Sequence, residues 1–249
     1  MNRNRHGGRR PPLKALAGGL VLLALPCIAY VGSTWYRYGK RAEQPQGNRD
    51  GSLLDQFMPD YEVGERHEID VAAPAALTMA AAREMDLYRS PLVHAIFAVR
   101  TLPSRLRGVP AREPASLLTE TLAIGWRILA EVPERGIVVG AVTQPWRAEV
   151  QFRGLDPDAF AGFAEPGYAR IAWTLEAVPL GPAASRFRTE TRVSTTDPGA
   201  RALFRRYWAV VSPGILLIRR QSLKLVKADA ERRYHARSSS VPAVGRTGR

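Results

Sequence analysis

The stretch "RRYWAVVSPGILLIRRQSLKLVK", residues 205–227, decides the fold, because it is either a membrane span or part of a long amphipathic helix. Its uncharged middle, 208–218, has eleven residues, whereas a span needs roughly 20. A helix is predicted from Asp197, with Pro198 in its first turn, to about residue 233. Apolar residues spaced three or four apart, or at sums of these steps, form one stripe, namely Phe204, Trp208, Val211, Ile215, Ile218 and Leu225. Basic residues are predicted to lie off this stripe: Arg201, Arg205, Arg219, Arg220, Lys224 and Lys227. The stretch is therefore predicted to close one face of a sheet.

Alternation of apolar and polar residues predicts the sheet that this helix covers. Six segments are read as strands, at 61–71, 121–132, 137–143, 146–152, 168–178 and 186–195. Two helices are predicted between the first and second strands, one beginning near Pro74 and one at 90–102. The last strand is predicted to place four side chains in water, on one wet face of an antiparallel sheet: Arg186, Arg188, Glu190 and Arg192.

The net charge of +13 belongs to the two ends of the chain and not to its middle. Residues 1–41 carry +8 and residues 196–249 carry +9, whereas residues 42–195 carry −4. A nucleic-acid-binding domain is expected to show its basic surface on the folded module itself. The charge distribution therefore argues against a nucleic-acid partner.

Residues 15–35 form an uncharged run of 21 residues, which as a helix matches the roughly 30 Å hydrocarbon thickness of a bilayer. This run predicts a transmembrane anchor and divides the chain. The predicted organisation is a basic cytoplasmic leader at 1–14, the anchor at 15–36, a linker at 37–52, a folded domain at 53–235 and a disordered tail at 236–249.

Basic residues on either side of the apolar run predict its orientation. Five precede it and three follow it, which favours a cytoplasmic N-terminus and an exported domain on a single-pass protein of the inner or plasma membrane. A cleaved signal peptide is the alternative, because Val31-Gly32-Ser33 offers small residues for cleavage and a secreted product. The run is longer than the roughly 7–15 residues of a signal-peptide core, which favours the anchor.

Four stretches carry a resemblance to a known superfamily. They are "SPLVHAIFAVRTLPSRLRG" (90–108), "PGYARIAWTLEAVP" (166–179), "RFRTETRVSTTDPGARALFRRYW" (186–208) and "SPGILLIRRQSLKLVK" (212–227). They resemble the SRPBCC (START-like, polyketide cyclase/dehydrase-like) superfamily, in a bacterial branch of unassigned function. The resemblance implies an α+β helix-grip fold, in which a curved antiparallel sheet is closed by a long C-terminal helix. It also implies a cavity between them for lipids, sterols, polyketides or other hydrophobic ligands.

The chain has few residues in patterns typical of catalysis. It carries no HExxH, CxxC, GxSxG, P-loop or GxGxxG motif, so no catalytic residue, metal site or cofactor is predicted. Strand parity places His67 and Glu65 on the inward face, where His67 is either a hydrogen-bonded core residue or a polar group inside the cavity. Inward aromatic residues are likewise either core or cavity wall. The candidate cavity residues are His67, Trp126, Trp146, Phe152, Trp173, Trp208, Val211 and Ile215.

Three functional classes are compatible with these features. The first is a membrane-tethered carrier or sensor of a hydrophobic or lipid-like ligand, with the membrane itself as a partner through residues 15–36. The second is a cyclase- or dehydratase-type enzyme that uses the same cavity, with His67 and Glu65 as its acid–base groups. The third is a structural or partner-binding module without a ligand.

Overall fold

A computed structural model of the protein describes residues 33, 52–87, 90 and 116–240. Within these residues the strands are β1 (Val63–Val71), β2 (Arg127–Val132), β3 (Gly136–Thr143), β4 (Phe152–Arg153), β5 (Ala169–Gly181) and β6 (Ala184–Thr195). The helices of the same residues are α1 (Ala75–Arg83), α2 (Leu117–Ala123), α3 (Pro157–Ala161) and α4 (Pro198–Ser240). The strands form one antiparallel sheet in the order β1-β6-β5-β3-β2, with β4 paired to β3.

Helix α4 confirms the prediction made from residues 205–227. It begins at Pro198, where the Asp197 carboxylate accepts a hydrogen bond from the Ala200 N–H at 2.9 Å. This bond satisfies one of the free N–H groups of the first turn. The helix ends at Ser240 and not near residue 233, so residues 236–240 of the predicted disordered tail are helical. The continuous helix is the lid that the sheet requires.

The sheet is covered on both faces, and each face has its own core. The inward face packs against α1 and α4 through Ile137, Leu175, Phe187, Leu223 and Val226, among others. The outward face packs against α3 and against residues 52–61, which we call the strap. Its core includes Leu54, Met58, Leu129, Val138 and Phe160.

The predicted wet face on β6 is wrong for three of its four residues, whereas Arg186 is half-exposed. Arg188, Glu190 and Arg192 are only 8 %, 6 % and 6 % exposed, and the strap contacts the last two. Arg192 donates to Asp55 in the strap at 2.7 Å and to the Met58 carbonyl at 2.8 Å. Charged side chains on alternate positions here form buried ion pairs with each other and with the strap, and do not face water.

Two predicted strands are also corrected. Residues 121–123 of the predicted 121–132 strand complete helix α2, which is capped by Ser116 accepting the Thr119 N–H at 3.2 Å. Gly125 ends this helix with a φ of +103°, a left-handed conformation that favours glycine, and the strand begins only at Arg127. Of the predicted 146–152 strand, only its last residue is in β4. Pro145 precedes it in a turn and has no N–H for a strand ladder.

Several predicted segments lie outside the described residues. They are the leader at 1–14, the anchor at 15–36 apart from residue 33, the linker up to residue 51, the helix at 90–102 apart from Ser90, and residues 241–249. Among the described residues, no helix combines the length and the apolar character needed to cross a bilayer.

Candidate ligand cavity

A cavity of about 240 Å³ lies between the inward face of the sheet and the first half of α4. Its sheet side is formed by side chains from β4, β5 and β6 and from the loops before β2 and β4, namely Trp126, Pro145, Val150, Phe152, Ile171, Trp173, Thr191 and Val193. Its helix side is formed by Phe204, Tyr207, Trp208, Ile215 and Arg219. Thr191 and Arg219 lie at one end of the cavity. Apart from these two side chains and the hydroxyl of Tyr207, the lining is apolar or aromatic.

Aromatic rings form both walls of the cavity. On the sheet side, the ring centroid of Trp126 lies 5.2 Å from that of Phe152 and 6.4 Å from that of Trp173, the latter edge to face. On the helix side, Phe204 and Trp208 stack with their centroids 5.7 Å apart. Such ring pairs hold each other in place, and contribute about 0.5–1.5 kcal/mol each beyond their burial. The walls are therefore preformed surfaces suited to a flat apolar body.

The structure brings five of the eight predicted cavity residues together around this space: Trp126, Phe152, Trp173, Trp208 and Ile215. The other three do not line it. Trp146 is half-buried against the core cluster that contains Phe204 and Trp208, and Val211 is half-buried on α4. His67 is on β1, on the inward face of the sheet, but is not among the residues that line the cavity. That any of these residues contacts a ligand stays a prediction.

Arg219 is the functional candidate that the sequence reading missed, since it was predicted to lie off the apolar stripe. Its Nη2 donates a hydrogen bond to the Thr191 hydroxyl, and its enclosed Nε has no hydrogen-bond partner among the described residues. Burial lowers the pKa of the Arg219 guanidinium to about 10, while the charge of Glu65 acts in the opposite direction. The group is still protonated at neutral pH. The cavity thus has a fixed positive charge at one end.

Glu65 and His67 lie beside this end of the cavity, on β1 and on the same face of the sheet as Thr191. Glu65 is paired across the strands with Thr191, and Thr191 in turn with Trp173, so the three lie side by side. The His67 Nε2 lies 3.8 Å from a Glu65 carboxylate oxygen and has no hydrogen-bond partner within the described part of the chain. Burial lowers the pKa of His67, and the charges of Arg219 and Arg220 lower it further, which leaves the imidazole neutral at pH 7. The pair exists as predicted, but neither member is on the cavity wall.

A second depression, of about 560 Å³, opens beside the loop between β3 and β4. Its rim is polar and includes Arg147, Glu149 and Arg153. Arg153 is already paired with Glu165 at 2.9 Å and lies over the Tyr168 ring at 5.3 Å. The larger size of this depression therefore does not make it a better candidate site than the aromatic cavity. Within the described residues, no group of three or more His, Cys, Asp or Glu side chains is placed to hold a metal ion.

Comparisons with known proteins find distant likenesses among solved structures only. No family model and no curated protein matches the chain. Among solved structures, it is similar to the Zhui aromatase/cyclase from Streptomyces sp. R1128, at 17 % identity and a TM-score of 0.28 over 72 % of this chain and 98 % of that one. It is also similar to a norcoclaurine synthase point mutant of Thalictrum flavum, at 16 % identity and a TM-score of 0.30 over 66 % of this chain and 93 % of that one. A START superfamily protein from Mycobacterium smegmatis aligns at 13 % identity and a TM-score of 0.25 over 70 % of this chain and 97 % of that one.

Likenesses at this level carry no argument about function. The strand order, the antiparallel pairing and the long C-terminal helix give the described part of the chain a helix-grip fold. The fold that the sequence resemblance implied is thereby confirmed.

Proposed function

We propose that this chain is a membrane-anchored SRPBCC-like protein that binds a hydrophobic or lipid-like small molecule in the cavity between its sheet and α4. The observation that carries the proposal is the pair of facing aromatic walls around a space of about 240 Å³. Ligand pockets are typically apolar and concave, with a few placed polar groups. The combination of Trp126, Trp173 and Trp208 with Arg219 and Thr191 fits that description.

The size of the cavity limits the ligand. Pockets for drug-sized molecules run from about 300 to 1,000 Å³, so a volume below that range suits a compact ligand of few rings or a short chain. Each square ångström of apolar surface removed from water contributes about 25 cal/mol, and a flat molecule between two aromatic walls loses water on both of its faces. A compact planar molecule therefore gains the most from this site.

The anchor is part of the proposal because it places the cavity near a source of hydrophobic molecules. The uncharged run at 15–35 and its basic flanks support it. The strap begins at Ser52, where the predicted linker ends, and the Ser52 hydroxyl donates to Glu190 at 3.0 Å. The chain therefore begins to pack onto the sheet where the predicted linker ends.

The test is the binding of a neutral aromatic probe, 2-naphthamide, to the full-length protein in nanodiscs of zwitterionic lipid, with empty nanodiscs as background. Calorimetry should detect binding to the wild type. Ile215→Trp should lower the affinity at least roughly tenfold, because the larger side chain fills the space that the probe occupies. Val210→Trp is the control, since Val210 is on the same helix and is 72 % exposed.

The outcome also separates the alternatives. A wild type that binds no probe would support the ligand-free module. A cyclase- or dehydratase-type enzyme remains the second candidate, and the Glu65–His67 pair at 3.8 Å is the observation that favours it. It is less well supported, because an acid–base group must reach its substrate and neither residue lines the cavity.

A further inference from the structure

We infer that the ligand of this cavity carries a single carboxylate or similar planar oxyanion, which Arg219 binds while the aromatic walls hold the apolar body. This assignment rests on the binding function proposed above and adds the chemical class of the ligand. It follows from the position and the unsatisfied bonding of one side chain.

The first step is the hydrogen bonding of Arg219. A guanidinium has five N–H donors. The bond from Nη2 to the Thr191 hydroxyl uses one of them, and Nε is enclosed without a partner among the described residues. Buried donors are normally satisfied, so such a group calls for an acceptor.

The second step is the contrast with Arg192 on β6, which is 6 % exposed. Arg192 donates to the Glu190 carboxylate and to the Asp55 carboxylate, both at 2.7 Å. Arg219 has no carboxylate within 4.0 Å in the described part of the chain. Glu65 contributes only at longer range, through its charge. Arg192, which joins the strap to the sheet, is therefore paired directly with carboxylates. Arg219, which lines the cavity, has no such carboxylate partner in the described part of the chain.

The third step is the kind of anion. The cavity has one positive charge at this end, partly offset by Glu65, and walls that are otherwise apolar or aromatic. A single negative charge pairs with the one guanidinium, whereas a doubly charged phosphate would leave an uncompensated charge in an apolar space. A planar carboxylate also matches the planar fork of a guanidinium. Trp173 is paired across the strands with Thr191, so an aromatic body attached to the carboxylate has a wall to lie against.

The experiment compares two probes of the same shape that differ by one charge: 2-naphthoate and its neutral amide, 2-naphthamide. Calorimetry on the full-length protein in nanodiscs at neutral pH should give at least a roughly tenfold preference for naphthoate, because charge-assisted hydrogen bonds are the strong ones. Arg219→Met should remove that preference and keep naphthamide binding. Arg220→Met is the matched control, since Arg220 is the exposed neighbour on the same helix, and it should keep the preference.

A wild type that binds the amide as tightly as the acid overturns the anion assignment and leaves the proposed function standing. A wild type that binds neither probe overturns both. If circular dichroism shows that Arg219→Met does not fold, Arg219→Lys decides. Its ammonium keeps the charge but loses the fork, so naphthoate binding should weaken severalfold with naphthamide binding unchanged. Unchanged naphthoate binding by Arg219→Lys would overturn the assignment.

Discussion

Trp208 is 4 % exposed and stacks on Phe204, yet it also lines the cavity. A large aromatic residue in a filled core costs about 3–5 kcal/mol when it is cut to alanine. Trp208→Ala should cost clearly less than that, because part of the ring already faces a space that protein atoms do not fill. The measurement is the free energy of unfolding from chemical denaturation of the full-length protein.

The comparison residue is Phe187, which is 0 % exposed in the core of the inward face and does not line the cavity. Phe187→Ala should show the full loss of about 3–5 kcal/mol. Equal losses at the two positions would mean that Trp208 is plain core and that the helix is only a structural lid.

The site could be predicted from sequence only for its apolar part. Strand parity and the helical stripe identified Trp126, Trp173 and Trp208 because burial alone selects such residues. Arg219 was missed because a charged residue is assigned to solvent by default. The signal was in the spacing, since residues 208, 212, 215 and 219 follow steps of four, three and four along one helix face. Ser212, which is 0 % exposed, lies on the same line.

At the scale of elements, the strap depends on the buried ion pairs of β6. Arg192 joins Glu190 on its own strand to Asp55 in the strap, and its guanidinium lies 4.5 Å from the centre of the Tyr61 ring. Arg192→Met should therefore destabilise the protein by roughly 3–5 kcal/mol, because Glu190 keeps a buried charge without its cation. Chemical denaturation of the variant measures the loss.

Two further variants make this prediction specific. Changing Glu190 to Met as well should recover much of the lost stability, since no unpaired charge then remains buried. Arg186→Met on the same strand should have a far smaller effect, because its pair with Asp70 at 2.7 Å is exposed and screened by water. If the Arg192 and Arg186 variants were equally stable, the buried network would not hold the strap.

These ion pairs also show why the outward face was misread. Alternation on 61–71 and 186–195 correctly sorted residues into two faces, because successive side chains of a strand point to opposite sides. It says nothing about what covers each face. Charged residues at every second position of β6 suggested water, whereas the strap brings the Asp55 carboxylate and the Met58 carbonyl to Arg192. The fold class was predictable because the long stripe and the alternating runs extend over many residues.

For the whole molecule, the open prediction is on which side of a membrane the folded domain lies. The five basic residues before the apolar run and three after it favour an exported domain. A cysteine at Gly181 tests this, because Gly181 is exposed at the turn between β5 and β6 and an added Cβ there meets no atom within 4 Å. The only native cysteine, Cys27, is changed to Ser in the same protein.

A membrane-impermeant maleimide should label Gly181→Cys in intact cells, in a protein that stays in the membrane fraction. Permeabilised cells give the total that can be labelled, and Cys27→Ser without the new cysteine gives the background. Labelling only after permeabilisation would place the domain in the cytoplasm and show that a margin of two charges does not decide orientation. Labelled protein in the soluble fraction with its N-terminus at Thr34 would instead establish the cleaved signal peptide, because cleavage after Ser33 removes the apolar run and leaves the domain without an anchor.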